Sequence, residues 1–542
     1  MDRHGLLITG ARIFTADPAR PWADALITHG NRIVFVGDEP DALNLAGPGS
    51  ERIHLPGGLV TPGLNEAHVH ITMGSEVLDD LNLDGIGTPA NLQERVRAYA
   101  AAHPEREWIT GYGLSYSPLS HLNRAERLVL DDAVADRPVF LRALDFHSAW
   151  CNTRALTLAN ISEGAPLPLP NEVVVGPDGS ATGMLKERQA YHLIERLWPE
   201  PTAAERDARL AEAMRYMNSL GITSFQNMDG DPQRVAWFDR LQQEGRLSLR
   251  GHFYMSMREH YPRERLQEFA EVMHGHQSAW NLVRGIKMFI DGVVESKTAL
   301  LLDPYADGSA DTGVPDMDPR AHFEISVEAD RLGMDVATHA IGDKGVRLSL
   351  DAYEAAGRAN PGRTRRRHRI EHIETIHPSD IARFAELGVT ASMQPLHAVP
   401  NDDPRTSPWT TLVGPAREPW AFPWRLLTQS GAVLAFGSDW PVVTPDPRIG
   451  IHAALTRRTL HGDPLGGWQP QHCLTLAETL LAYTRGGAYA ESMEESKGIL
   501  REGALADITC FDHDLFALSA RDILTAEVVL TVVDGKVVYR TQ

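Results

Sequence analysis

Residues 59–71 read LVTPGLNEAHVHI. The apolar run leading to two histidines spaced two apart predicts a strand over 59–70 that ends in His68 and His70. Side chains alternate between the faces of a strand, so both imidazoles present to one side and can reach one metal ion. By itself an H-x-H pair also describes two packed or surface histidines, and the reading depends on what the rest of the chain supplies.

Seven further runs follow the same pattern, at 222–228, 247–255, 285–290, 334–339, 369–373, 389–394 and 433–439. Each is short and apolar, and each is followed by a stretch of helical periodicity, the signature of βα units and a parallel sheet. An open doubly wound sheet would be expected to carry a Gly-rich phosphate turn, and no G-x-G-x-x-G follows a strand here. The expectation is therefore an α/β protein built on a (β/α)8 TIM-type barrel over residues 61–494. The interval 75–205 is too long for a βα loop and contains strand-like PVFLRAL, so it is read as a subdomain inserted after the first barrel strand. Residues 1–60 and 495–542 read as short strands with turn signals, among them Asp534-Gly535. Each terminus is too small for a sandwich alone, and the two together predict one discontinuous β-sandwich domain.

A chain of 542 residues exceeds one ordinary core. The formal net charge of −20 repels a polyanion and argues against a nucleic-acid partner. The basic run Arg363, Arg365, Arg366, Arg367 and Arg369 is local and is read as a solvated lead-in to a strand. The three cysteines, Cys151, Cys473 and Cys510, are far apart and form no C-x-x-C, which fits a reducing, cytoplasmic setting. Neither a signal-peptide pattern nor an apolar run of about 18 residues is found, so no membrane span is expected.

Lys287 lies within RGIKMFIDG, where lysine has little apolar business. It either snorkels out of the barrel or is buried, and a buried amine has a depressed pKa and is available for covalent chemistry. His339 ends MDVATH, His372 ends RIEH and Asp439 ends VLAFGSD. Barrel enzymes place reactive groups at the carboxyl ends of their strands, and six metal-competent groups at five strand ends are hard to assign to packing.

These residues, with the phrases DFHSAWCN, IKMFIDGVVESKTAL, THAIGDKGV, RIEHIE, SMQPLH, FGSDWPV and GALADI, resemble the amidohydrolase superfamily in its YtcJ-like branch, which includes N-substituted formamide deformylases. The likeness covers nearly the whole chain. It implies two divalent ions, zinc first with manganese or iron as alternatives. His68 and His70 would hold one and His339 and His372 the other, with a carbamylated Lys287 bridging them and Asp439 touching the hydrolytic water. Deaminases of the superfamily usually carry a glutamate three residues after the strand-five histidine, a place taken here by Gly342. That points to hydrolysis of an amide-type carbon–nitrogen bond in a small molecule, with Asp439 as general acid and base.

His147, His397, Gln394 and Trp440 are the candidate substrate contacts, although His147 and His397 could equally be structural loop residues. Trp409, Trp420, Phe422, Trp424 and Trp440 form either an aromatic wall or a packing cluster. Glu371 is expected to point away from its neighbour His372 and to form a structural salt bridge. The rival readings are a deaminase or cyclic-ureide hydrolase and a non-catalytic binding protein on the same fold. A homodimer is expected only because such dimers are common.

Overall fold

The computed structural model describes residues 5–541 apart from 48, 121, 145, 169–170, 199–200 and 400–402, so Asp145 of the DFHSAWCN phrase lies outside the described residues. Eight strands form one sheet in chain order: β1 (Leu64–Val69), β2 (Ile222–Gly230), β3 (Arg250–Ser256), β4 (Asn281–Phe289), β5 (Asp335–Ala340), β6 (Arg369–His372), β7 (Thr390–Met393) and β8 (Leu434–Phe436). Every neighbouring pair is parallel. The sheet closes just beyond the carboxyl ends of β1 and β8. There the Asp439 N–H donates to the His68 carbonyl at 2.7 Å and the His70 N–H to the Trp440 carbonyl at 2.9 Å.

The eight expected runs are these eight strands, with one correction. The run 59–70 is two strands. Leu59–Pro62 pairs with Ile508–Phe511, and after Gly63 only Leu64–Val69 enters the barrel. Helices Pro232–Gln243, Arg265–Gly275, Pro319–Arg331, Asp343–Ala359 and Ile381–Leu387 alternate with the later strands. Asp231 and Asp318 cap two of them, accepting from first-turn amides with a proline at the helix start. Among the described residues no helix is long and apolar enough to cross a membrane.

The chain divides into two compact units. The first holds residues 1–70, 214–440 and 444–542: the barrel and two smaller sheets built from the termini. One of these sheets interleaves the two chain ends, with Arg12–Phe14 and Leu59–Pro62 beside Ile508–Phe511, Val528–Val533 and Lys536–Arg540. A shared apolar cluster joins Ile8, Ile13 and Val60 to Ile508, Leu530 and Val532. Arg250 of β3 is locked to this sheet by Asp507, at 2.7 and 3.0 Å, and Asp534, at 2.9 Å. The second unit holds residues 71–213 and 441–443 around a six-stranded sheet with apolar clusters centred on Leu141 and Phe140.

The basic run before β6 departs from its reading. Arg363 and Arg366 both bond Asp330, at 2.7 and 2.9 Å, and Arg367 reaches Glu494 at 2.7 Å. Only Arg365 is largely solvated, its side chain 56% exposed. Arg369 is fully buried inside the barrel. The sequence showed the charge but not its partners, which come from distant segments.

Candidate metal centre

His68 and His70 stand at the carboxyl end of β1, and Asp439 sits on the turn that follows β8. Asp439 Oδ1 is 3.3 Å from His68 Nε2 and 3.1 Å from His70 Nε2. Ligands about 2.0–2.1 Å from a tetrahedral cation stand about 3.4 Å apart, so Asp439 Oδ1 already stands from each imidazole at the spacing of co-ligands, and all three donors lie within 4.8 Å of one another. A second group, His372, His397 and Asp439, brings its donor atoms within 4.8 Å of one another. His372 Nδ1, His397 Nε2 and the Lys287 ammonium nitrogen are buried without a hydrogen-bond partner. Buried polar atoms rarely remain so, and a divalent ion would satisfy the two imidazole nitrogens, whereas an ammonium has no lone pair to offer it.

The backbone is bent to make the cage. His372, Ile373 and Asp439 all have positive φ, at 76°, 52° and 64°. Such conformations are costly for residues with a side chain and recur where the surroundings enforce them for function. Here the bend defeats strand alternation. Glu371 and its neighbour His372 both reach His68, Glu371 Oε2 lying 2.6 Å from His68 Nδ1 and the His372 ring centroid 4.9 Å from that of His68. Glu371 is a salt-bridge partner, as expected, but it does not turn away from the site.

Glu371 also receives two bonds from Arg369, at 2.5 and 3.0 Å. Burial alone would raise its pKa, yet Arg369 and His68 hold it well below the usual carboxylate range. An ionised Glu371 accepts from Nδ1–H, which leaves the Nε2 lone pair of His68 facing Asp439 and the cage. The chain of bonds continues away from the site. Arg369 donates to Gln226 Oε1, Gln226 Nε2 to Asn65 Oδ1 at 3.1 Å, and Asn65 Nδ2 to Glu491 Oε1 at 2.7 Å. Lys497 closes it on Glu491 Oε2 at 2.7 Å.

Lys287 is fully buried, and burial brings its pKa down to about 8 against the opposing pull of Glu371 and Asp439. It is therefore an interior lysine and not one that snorkels outward. Burial opposes charge on His70, but Asp229 and Asp439 beside it raise its pKa to about 9. Asp439 is held well below the usual range by His68 and His70 in spite of burial. Burial pushes both His372 and His397 below the ordinary histidine value. His339 packs 4.4 Å from His372 by ring centroids, and its Nε2 lies 3.2 Å from the Gly292 carbonyl. It joins neither close group of donors.

Several contributors escaped the sequence reading. Glu66 accepts from the Ser438 N–H at 2.6 Å and ties β1 to the turn carrying Asp439. Burial raises its pKa to about 8. Asp291 accepts from the backbone amides of Leu300, Ile341 and Gly342, fixing the segment just after His339. Both are carboxylates within apolar runs, the same signal that exposed Lys287. Of the candidate substrate contacts, Gln394 is buried and neither its Nε2 nor its Oε1 has a partner. Trp440 lies beside Tyr216, with centroids 6.0 Å apart and the ring planes tilted by 57°. His147 belongs to the second unit and lies 2.9 Å from Glu187. Trp409 bonds Glu374 at 2.6 Å and packs on Phe422 and Trp468, so these rings form a packing cluster.

The profile of the amidohydrolase family matches residues 51–539. YtcJ of Bacillus subtilis (strain 168), named as an amidohydrolase, is 28% identical over 91% of this chain and 91% of its own. The N-substituted formamide deformylase of Arthrobacter pascens is 25% identical over 98% of each chain. The crystal structure of a metal-dependent hydrolase from Pyrococcus furiosus superposes with a TM-score of 0.72 at 28% identity, covering 94% of this chain and 99% of that one.

Proposed function

Because this chain belongs to the amidohydrolase family, in its YtcJ-like branch, and is a hydrolase of that family, we propose that it cleaves an amide-type carbon–nitrogen bond in a small molecule. The donor group His68, His70 and Asp439 at the seam of the barrel carries this reading. A bound divalent cation, zinc or else manganese or iron, would lower the pKa of water from about 15.7 toward 7 and polarise a carbonyl. His68 and His70 would hold the first ion. His372 and His339 would hold a second, with Lys287, once carbamylated by carbon dioxide, as a ligand to both.

Asp439 takes a proton from water on one carboxylate oxygen and returns it to the departing amine. Gln394 offers an unpaired donor and an unpaired acceptor, the complement of an amide. Trp440 adds an apolar surface. The activity that the Arthrobacter relative is named for, deformylation of N-substituted formamides, fits these requirements. The deaminase alternative is disfavoured at Gly342, where a Cβ would lie 2.0 Å from the Leu300 carbonyl oxygen, so no glutamate fits. The three free cysteines suit a reducing, cytoplasmic setting.

The test is turnover of a panel of N-substituted formamides and N-acyl amines by protein reconstituted with zinc or manganese. Amine release is expected. Silence across the panel, together with ammonia release from amino-heterocycles, would replace this reading with the deaminase.

A further inference from the structure

We infer that Arg258 selects the substrate by binding a carboxylate carried next to the scissile amide, so that N-acyl and N-formyl amino acids are cleaved in preference to uncharged amides. The inference rests on the amide-hydrolase reading above and deepens it by naming the substrate class.

Arg258 lies two residues beyond the end of β3, and the N–H of Met257 just before it donates to the Lys287 carbonyl at 2.9 Å. That bond sets Arg258 at the carboxyl end of the barrel, beside the strand that carries Lys287. Its guanidinium carbon lies 4.3 Å from the centre of the Phe289 ring. The Lys287 ammonium nitrogen lies 4.8 Å from the same ring centre, and the His339 imidazole stacks on that ring at 5.0 Å, 26° apart in plane. A single aromatic ring therefore touches the guanidinium and two residues of the candidate centre. An amide carbonyl held beside Lys287 and His339 has Arg258 within reach of the next group along the molecule.

The chemistry of the side chain narrows what that group is. A guanidinium stays charged at any working pH, and its planar fork matches a carboxylate with two parallel N–H bonds. Contact with a ring face orients the fork without using an N–H donor. The structural arginines of the barrel are tied differently: Arg250 and Arg369 are buried and bond carboxylates at 3.0 Å or less. The Arg258 side chain is 21% exposed, and its ion-pair neighbour Asp316, 37% exposed, stands 3.5 Å away. A pair so placed is a weak tie, which a substrate carboxylate shares or displaces. Asp316 then tempers the preference for an anion, and Arg258 creates it.

The probes are N-acetylphenylalanine and N-acetylphenethylamine, which differ only in the carboxylate, given to the zinc-loaded full-length chain. Wild type is expected to favour the acid by about 10–100-fold in kcat/KM. Arg258→Met is expected to lower that ratio by about the same factor, through KM for the acid. Arg258→Lys, which keeps the charge without the fork, is expected to fall between. Asp316→Asn is expected to move the ratio the other way, up by about 2–5-fold, a shift that a merely structural pair would not produce. Equal kcat/KM for the two probes in wild type, or a ratio unmoved by Arg258→Met, overturns the inference and leaves the amide-hydrolase reading standing. If Arg258→Met fails to fold, as judged by its thermal transition, Asp316→Asn decides, and an unchanged ratio overturns the inference. If neither probe is cleaved, calorimetry on zinc-loaded Asp439→Asn decides. Acid binding that Arg258→Met weakens in that background keeps the carboxylate site while the reading of the reaction falls, and no acid binding removes both.

Discussion

Replacing Glu371 with glutamine tests whether the buried network behind the cage controls the metal. The substitution keeps the shape but removes the charge and one of the two acceptors. If the glutamine oxygen turns to Arg369, its amide faces His68 Nδ1, now 2.6 Å from an oxygen, and forces the proton of that imidazole onto Nε2. If it turns the other way, the amide meets Arg369, which donates to Glu371 at 2.5 and 3.0 Å. The first arrangement blocks the metal-facing nitrogen and the second places donor against donor. Removing one member of a buried ion pair costs about 3–5 kcal/mol. Arg369 keeps Ser392, the Ala67 carbonyl and Gln226 as acceptors, which places the loss at the lower end, about 3 kcal/mol. Removing a partner that orients a metal-bound histidine weakens metal affinity by about 10–100-fold. Chelator competition reads the affinity and urea unfolding of the metal-free protein reads the stability. A variant that is less stable yet binds metal as wild type does would show that Glu371 is a packing ion pair only, and the argument for its effect on His68 would fail.

Asp439→Asn should retain metal and lose turnover by about 10²–10⁴-fold, measured on whichever amide the wild type cleaves; unchanged turnover would remove Asp439 from proton transfer. Gly437→Ala should destabilise by about 1–3 kcal/mol in urea unfolding and reduce metal uptake. Its Cβ would stand 2.4 Å from the His68 amide nitrogen and 2.5 Å from Glu66 Oε1. Asp507→Asn should cost about 3 kcal/mol, because of its two carboxylate partners Arg250 would retain Asp534, with the Ala279 carbonyl as a further, neutral acceptor. Burial raises the pKa of Asp507, but Arg250 outweighs it and holds the group below its ordinary value. Its contribution is therefore complete above about pH 4 and is lost as pH falls further, so the variant's stability should decline less than wild type's across that acid range. Equal slopes would count against the pair.

The barrel was legible because each strand is a short apolar run with its polar exception at the carboxyl end. His68, His339, His372 and Asp439 are such exceptions, and so is the point where β1 and β8 meet. What stayed hidden depends on backbone bends. Strand alternation assigns Glu371 and His372 to opposite faces, and a φ of 76° at His372 cancels that assignment. The same is true of Asp439, whose left-handed conformation lets one carboxylate face two groups of histidines. Nothing in a one-dimensional pattern marks a non-glycine residue that will adopt such a conformation. His397 was visible as a histidine in SMQPLH, but its direction is set by a 3-10 turn whose geometry the letters do not specify.

The misreading of Arg369 has a more general cause. Layers of branched apolar side chains are the usual filling of a barrel interior. In this one, Lys497, Glu491, Asn65, Gln226, Arg369 and Glu371 form a bonded column that ends on His68. Each member sits in or beside an apolar run and reads singly as an exposed or rim residue. Their burial becomes affordable only in company, since an isolated charge in such an interior would cost far more than any packing gain. A metal centre supplies a reason for the arrangement. Ligand geometry tightens when the groups behind it are themselves fixed, and a column anchored at Lys497 holds Glu371, and through it His68, more rigidly than apolar contacts would.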